Sequence, residues 1–549
     1  MAPILYSVMV IEAERALPRR GHRRLLLGFL APLLVVILAL IVALLQFSGA
    51  TLTSDATALA RVTVGPLGGT IEHIQALGPA GRPVPMAVSG GRLTPLRRLH
   101  PGEQVSVDVT VRRPGWLGWA LGNTHTEHLT LQAPVAQVSE HWMTVAPGTP
   151  VHVGFDEPVS AVAYGSTGNL PQHTLGGAQR SISLGAQPAT GTVVIAAAAR
   201  PWETLGATTQ VSWFPPSNAP VMVSLPAAGS HIGPATPIYL TFSKPVSEVL
   251  GSARPRIVPG TQGQWHEANS HTLVFSPEGF GAQLGSRLHV RLPHPVAVTA
   301  GSDGGLRDTS QIEWTVPPGS TLRLQQLLAE TGYLPVDWHP SGGVVPRTPS
   351  AQAQAAVAPP SGTFDWRYPN TPHQLQAMWN PDQASVVTKG AVMKFENANN
   401  MTVDGEAGPT VWRSLLGYVL AGKRLSEPYS YVYVHREVPE TMTLWSAGRT
   451  IITSPANTGI SGAETALGTF PVFEHIPEGT MSGTNPDGSH YEDPGIKWIS
   501  YFNGGDALHN FDRSSFGTPQ SLGCVELPLA ASAEIWPYTP IGTLVTIET

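Results

Sequence analysis

Near its C-terminus the chain reads Ala507-Leu508-His509-Asn510, then Ser514-Ser515-Phe516-Gly517, then Ser521-Leu522-Gly523-Cys524-Val525-Glu526. Cys524 is the only cysteine among 549 residues, so no intrachain disulfide can form. A lone thiol in an exported chain is either a reactive group or a small buried hydrophobe. A thiol becomes a useful nucleophile only as thiolate, and a neighbouring imidazole can take its proton. His509 stands fifteen residues before Cys524, an interval that fits a strand, a loop and a return strand. Gly523 lets backbone approach a substrate carbonyl, which makes the amides near Gly523 and Cys524 candidate oxyanion donors.

Around this cluster, residues 428–549 fall into short runs such as Tyr431-Val432-Tyr433-Val434, Thr443-Leu444-Trp445 and Leu544-Val545-Thr546-Ile547. They predict a β-rich domain of about 120 residues. The order of Thr458-Gly459, Thr465-x-x-Gly468-Thr469-Phe470, His509 and Ser521-x-Gly523-Cys524 resembles the L,D-transpeptidase catalytic domain of the YkuD type. The resemblance implies that Cys524 is the acylated nucleophile and His509 its general base. It also implies that the residue after the histidine, here Asn510, orients the imidazole through a side chain or a carbonyl. The family often has Gly or Ser there. Leu522 replaces a histidine common in the family, and Glu526 replaces a frequent Arg or Asn. A carboxylate at 526 is expected to alter substrate recognition or raise the thiol pKa. Ser521 is expected to orient backbone near the nucleophile. Tyr501, Trp498, Met481, Tyr491 and Glu526 are candidate cleft-lining residues, and the polar stretch 479–495 reads as a loop over the site.

The activity implied by the resemblance is transfer of a peptidoglycan stem peptide. A tetrapeptide stem acylates the cysteine and releases D-alanine, and an amine on the third residue of another stem takes the acyl group, giving a 3→3 cross-link. Water as acceptor would make an L,D-carboxypeptidase. A catalytically inactive wall-binding protein is the non-enzymatic alternative. No metal or organic cofactor is implied. A metallopeptidase using His475, His490, Asp493 and His509 lacks H-E-x-x-H or comparable ligand spacing.

Upstream, Gly (57) and Pro (52) are abundant and charged residues make up only 13%, which favours many short strands and turns. The net charge of −6 and the lack of a basic block give no support to a nucleic-acid partner. Residues 25–45 are uncharged and follow Arg15, Arg19, Arg20, Arg23 and Arg24. At about 1.5 Å rise per residue they are long enough for a ~30 Å hydrocarbon core. The reading is a basic cytoplasmic tail over 1–24, a transmembrane helix over 25–45 and an extracytoplasmic remainder held at the cell membrane. A cleaved signal peptide ending at Ser48-Gly49-Ala50 is the alternative.

Residues 52–133 alternate apolar and polar, as in Gln104-Val105-Ser106-Val107-Asp108-Val109-Thr110-Val111, and predict a β-rich domain. T-P-V-H-V-G-F-D-E-P-V-S in 149–160 recurs as T-P-I-Y-L-T-F-S-K-P-V-S in 236–247. Two copies at this spacing predict tandem β-sandwiches over 134–216 and 217–318, and they resemble bacterial immunoglobulin-like domains. In 319–418 the runs L-Q-Q-L-L-A-E-T-G-Y-L, K-G-A-V-M-K-F and V-D-G-E-A-G-P-T-V-W resemble the small three-helix peptidoglycan-binding domain. A Pro/Ala/Ser/Gly-rich stretch at 341–362 inside it reads as a flexible insert. The expected fold class is therefore multidomain and mainly β, with one helical module before a C-terminal β-rich catalytic domain.

Overall fold

A computed structural model describes residues 35–43, 47–165, 170–300 and 305–549. The protein is mainly β and multidomain, with its chain contacts dividing into two compact units. Most of the segment read as membrane-spanning lies outside the described residues; within it, residues 35–43 are helical. Among the described residues no helix is long and apolar enough to cross a membrane.

The first unit comprises the described residues up to 141 and those within 148–187 and 193–211. In its strand Gln104–Arg112 the alternation predicted from sequence is literal: Val105, Val107, Val109 and Val111 are fully buried while the intervening polar residues face outward. That strand is central to a three-stranded sheet with Thr70–Leu77 and Thr124–Gln132. A four-stranded sheet runs Ala50–Ser54, Ala60–Val64, Arg92–Pro95, Met86–Ser89.

The two halves of the sequence repeat fold differently. In the first, Pro150–Gly165 is one continuous strand of 16 residues that passes through Pro158. In the second, the strand Ile238–Phe242 ends and Pro245 caps a short helix, Val246–Val249. The boundary expected at 216/217 is also crossed. Trp142–Pro147, Pro188–Thr192 and Ser212–Phe214 belong to the second unit, where Phe214, Val221 and Ala297 form a small core with Trp142 and Val223. Within 217–318 the backbone ladder joins seven strands into one sheet, whereas a sandwich of the immunoglobulin kind keeps two separate ladders.

The helical module holds α1 (Thr321–Glu330), α2 (Pro349–Val357), α3 (His373–Ala377), α4 (Val386–Ala398) and α5 (Pro409–Leu420). Leu327, Leu328, Phe395 and Leu415 are fully buried at its centre. The stretch 341–362 is not a flexible insert: α2 occupies its middle, and Gly362 begins a strand paired with Val336–Pro340. The reason is local. Thr348 caps the first turn through Ala351 N–H, Pro349 sits where its missing N–H costs nothing, and four alanines follow. Ala353 and Ala356 then bury against the core. In the V-D-G-E loop, the buried Glu396 carboxylate accepts from Asp404 N–H (3.1 Å) and Gly405 N–H (2.9 Å).

The C-terminal module has nine strands: β1 (Ser430–His435), β2 (Thr441–Ser446), β3 (Arg449–Pro455), β4 (Gly468–Pro471), β5 (Glu474–Thr484), β6 (His490–Asn503), β7 (Asp506–Asn510), β8 (Val525–Leu527) and β9 (Leu544–Glu548). One sheet runs β3-β2-β1-β9-β4, the other β5-β6-β7-β8. Val432, Val434 and Val545 of the first sheet share a core with Leu508, Val525 and Leu527 of the second. This packing holds β7 and β8, which carry the histidine and follow the cysteine, on a rigid base. The stretch 479–495, read as a loop, is mostly strand: β5 and β6 form a long hairpin with its turn at Asn485–Ser489.

Candidate active site

Strands β7 and β8 pair in parallel, with Leu508 opposite Val525 and His509 opposite Glu526. Residues opposite each other on paired strands share a face, and successive residues alternate faces. Cys524 lies in the bend just before β8, one residue ahead of the partner of Leu508, and packs with Phe511 against the small apolar cluster that holds Ala507. The β7–β8 pairing thus brings together two segments separated by fifteen residues of chain, with His509 on β7 and Cys524 at the entry to β8.

His509 is 2% exposed. Its Nδ1 lies 2.7 Å from the carbonyl oxygen of Asn510. A carbonyl can only accept, so Nδ1 carries the proton and Nε2 presents a lone pair. Nε2 is buried and has no hydrogen-bond partner among the described residues. Asn510 thus orients the imidazole through its backbone, while its side-chain Oδ1 accepts from Lys497 N–H at 2.6 Å. The imidazole pKa is lowered, mainly by burial, against the opposing influence of the Asn510 carbonyl and Glu526.

Cys524 is partly exposed, and its thiol points at the Gly505 carbonyl oxygen at 3.5 Å. Burial pushes the thiol up to about 12, the Ala507 backbone amide works against this, and the Asp506 and Glu526 carboxylates add to it. A raised thiol beside a lowered imidazole makes the resting pair neutral, SH and bare Nε2, and not a thiolate–imidazolium pair.

The backbone before the sulfur is tightly determined. Gly523 has φ +116°, and a Cβ there would stand 2.3 Å from Asp506 Oδ1. Ser521 Oγ donates to the Cys524 carbonyl at 2.6 Å and accepts from Gly523 N–H at 3.3 Å. The Gly523 amide is thus engaged with Ser521, which leaves the Cys524 amide as the oxyanion candidate. The Thr458-Gly459 stretch forms the adjoining wall. Thr458 O accepts from the amides of Gln520 and Ser521, Ile460 N–H donates to Ser521 O, and Gly459 N–H donates to Thr465 Oγ1. Glu440, fully buried, receives both Thr458 N–H and Oγ1–H at 2.6 Å.

Two of the expected lining residues, Met481 and Tyr501, share the small apolar cluster of Cys524. The phenols of Tyr491 and Tyr501 are raised first by burial and next by the charge of the Cys524 sulfur. Two expectations are corrected. Trp498 does not line the cleft: it adopts φ +59° and packs on Trp536, ring centroids 5.6 Å apart. Glu526 does not line it either. It is 4% exposed and held by Arg513, Nε to Oε2 at 2.8 Å and Nη2 to Oε1 at 2.6 Å. Of the rival histidines, His475 stacks on Trp536 and His490 bonds the Gly483 carbonyl, so neither joins His509.

Sequence reasoning missed Glu440, Asp506 and Arg513. Arg513 ties the loop between β7 and β8 together, reaching Glu526, the Gln520 carbonyl (3.0 Å) and the face of Phe511 (4.5 Å). The only cue to it was a lone basic residue between the histidine and the cysteine, and nothing nearby in sequence named its partner.

Residues 430–547 match the family model of the L,D-transpeptidase catalytic domain, YkuD. They form a YkuD-type L,D-transpeptidase catalytic domain, and the protein is thereby a peptidoglycan-modifying enzyme in its general class. No curated protein matches the chain. Among solved structures, it is similar to an L,D-transpeptidase from Mycobacterium smegmatis (12% identity, 60% of this chain and 100% of that one, TM-score 0.20). It is also similar to L,D-transpeptidase 3 from Mycobacterium tuberculosis (11% identity, 60% and 99%, TM-score 0.21). A third is the catalytic domain of the E. faecium L,D-transpeptidase (25% identity, 22% and 96%, TM-score 0.20).

Proposed function

We propose that the protein forms 3→3 peptidoglycan cross-links through a Cys524 acyl-enzyme. The observation that carries this reading is the bare, buried Nε2 of His509 on β7, the strand paired with the segment that Cys524 enters, with Nδ1 fixed by the Asn510 carbonyl. An imidazole locked in this tautomer can only accept a proton at Nε2. As a stem carbonyl arrives, Nε2 takes the thiol proton and Sγ attacks the carbonyl carbon before the terminal D-alanine. The oxyanion falls to the Cys524 amide. The C–N bond breaks, the imidazolium proton goes to the departing amine, and D-alanine leaves a thioester. An amine of a second stem then gives its proton to Nε2 and attacks the thioester. The C–S bond breaks, and the imidazolium returns a proton to sulfur.

The apolar run at 25–45 and the arginines before it support anchoring in the cell membrane, with the catalytic domain outside. The helix at 35–43 agrees with this: Val35, Val36, Ile37, Leu38, Leu40, Ile41 and Val42 are all exposed, an arrangement that water penalises and lipid does not.

The test is incubation of the full chain with disaccharide-tetrapeptide and mass analysis of the products. The reading expects a dimer lighter than two substrates by one D-alanine, absent with Cys524→Ala. Tripeptide alone would assign water as the acceptor, and unchanged substrate would leave only the wall-binding alternative.

A further inference from the structure

The first unit carries an uncharged helix, Gly115–Leu121, of sequence G-W-L-G-W-A-L. It turns Leu117 inward, at 3% exposure, and leaves Trp116 59% and Trp119 87% exposed. Two neighbouring tryptophans presented to water on a helix without a charged residue are costly, because each carries a large apolar surface. Tryptophan is also the side chain most at home at the boundary between hydrocarbon and lipid headgroups.

The place of this helix in the fold says what covers it. The Arg113 guanidinium, 8% exposed, donates to the carbonyl of Ser48 at 3.1 Å and to the carbonyls of Leu121, Gly122 and Thr124 around the far end of the helix. Ser48 is further fixed by its neighbours: Leu67 N–H donates to Phe47 O, and Gly65 N–H to Gly49 O. The apolar run ends at residue 45, three residues earlier, a reach of at most about 10 Å. One buried arginine therefore clamps the tryptophan helix to the point where the proposed membrane segment meets the folded unit.

We propose that Gly115–Leu121 lies in the headgroup layer of the lipid bilayer, with Trp116 and Trp119 inserted, beside the emergence of residues 25–45. This rests on the anchoring reading above. The pair of contacts, one spanning and one lying on the surface, would fix how the first unit stands on the membrane, which a single helix free to swivel cannot do.

The test uses the full chain with its sole thiol removed by Cys524→Ser and a new one placed by Trp119→Cys, which at that exposure leaves the fold undisturbed. The thiol carries an environment-sensitive fluorophore, and the chain is reconstituted in phosphatidylcholine/phosphatidylglycerol vesicles. A second chain carries Ser89→Cys, at the opposite edge of the four-stranded sheet, as reference. The proposal expects blue-shifted emission at 119 that drops roughly two-fold when headgroup nitroxide lipid is included, with no change at 89. If the chain floats with the vesicles but the label at 119 is unquenched, the helix placement is overturned and the anchor stands. If the chain does not float, the anchor fails and the placement with it. A blue shift at 119 already present without vesicles would assign the face to a protein partner and overturn the proposal.

Discussion

Arg513 and Glu526 hold each other through two parallel hydrogen bonds across the mouth of the loop that joins the histidine strand to the cysteine. Glu526 is almost fully buried, while Arg513 keeps part of its side chain in water. Removing the guanidinium leaves a buried carboxylate unpaired. Arg513→Ala is expected to cost about 2–3 kcal/mol, below the 3–5 of a fully buried pair. The double variant Arg513→Leu/Glu526→Leu should recover much of that loss. Chemical denaturation of the three proteins checks this, and a single variant as stable as wild type would contradict it.

Gly523, the position before the nucleophile, holds backbone that any side chain would strain. Its φ of +116° and the 2.3 Å approach of Asp506 to a built Cβ act together. Gly523→Ala should move the Cys524 amide and sulfur and slow acylation on the order of 100-fold, since misplacement of about 1 Å costs that much. Rates of carbapenem acylation followed by mass report the effect. An unimpaired variant would mean that the backbone here is not held as described.

A neutral resting pair has its own pH signature. Iodoacetamide needs thiolate, so its reaction with Cys524 should be slow at pH 7 and rise about tenfold per unit toward pH 10. Acylation by a carbapenem uses Nε2 as base, and should stay level above the usual histidine range and fall only when the lowered imidazole protonates on the acid side. The folded thiol lies above its unfolded value, so its contribution to stability is present below about pH 8.5 and fades toward pH 12. The melting temperature of wild type should therefore decline more steeply between pH 9 and 11 than that of Cys524→Ala. Fast alkylation at pH 6 would contradict the neutral pair.

The YkuD-type domain was legible because S-x-G-C and an upstream histidine are local patterns in a fixed order. Alternation made Val105 to Val111 readable for the same reason. Side-chain direction was not readable at Trp498 and Glu526. Irregularities in strand register interrupt the β5–β6 and β6–β7 ladders, and Trp498 sits in left-handed backbone, so counting by twos fails at Trp498, while Glu526 is withdrawn by its two bonds to Arg513. Glu440 and Arg513 owe their roles to partners 18 and 13 residues away, contacts that composition does not encode. Helix α2 was hidden because proline, serine and alanine together look like linker, although Thr348-Pro349 is a helix start.

The most direct test of Cys524 as the acylated nucleophile is intact-mass analysis of the folded full chain after exposure to a carbapenem, with peptide mapping of the product. One adduct is expected, on Cys524, lost in Cys524→Ala and formed about 10²–10⁴-fold more slowly in His509→Gln. A folded wild-type protein that takes no adduct, or a Cys524→Ala variant that still does, would contradict it.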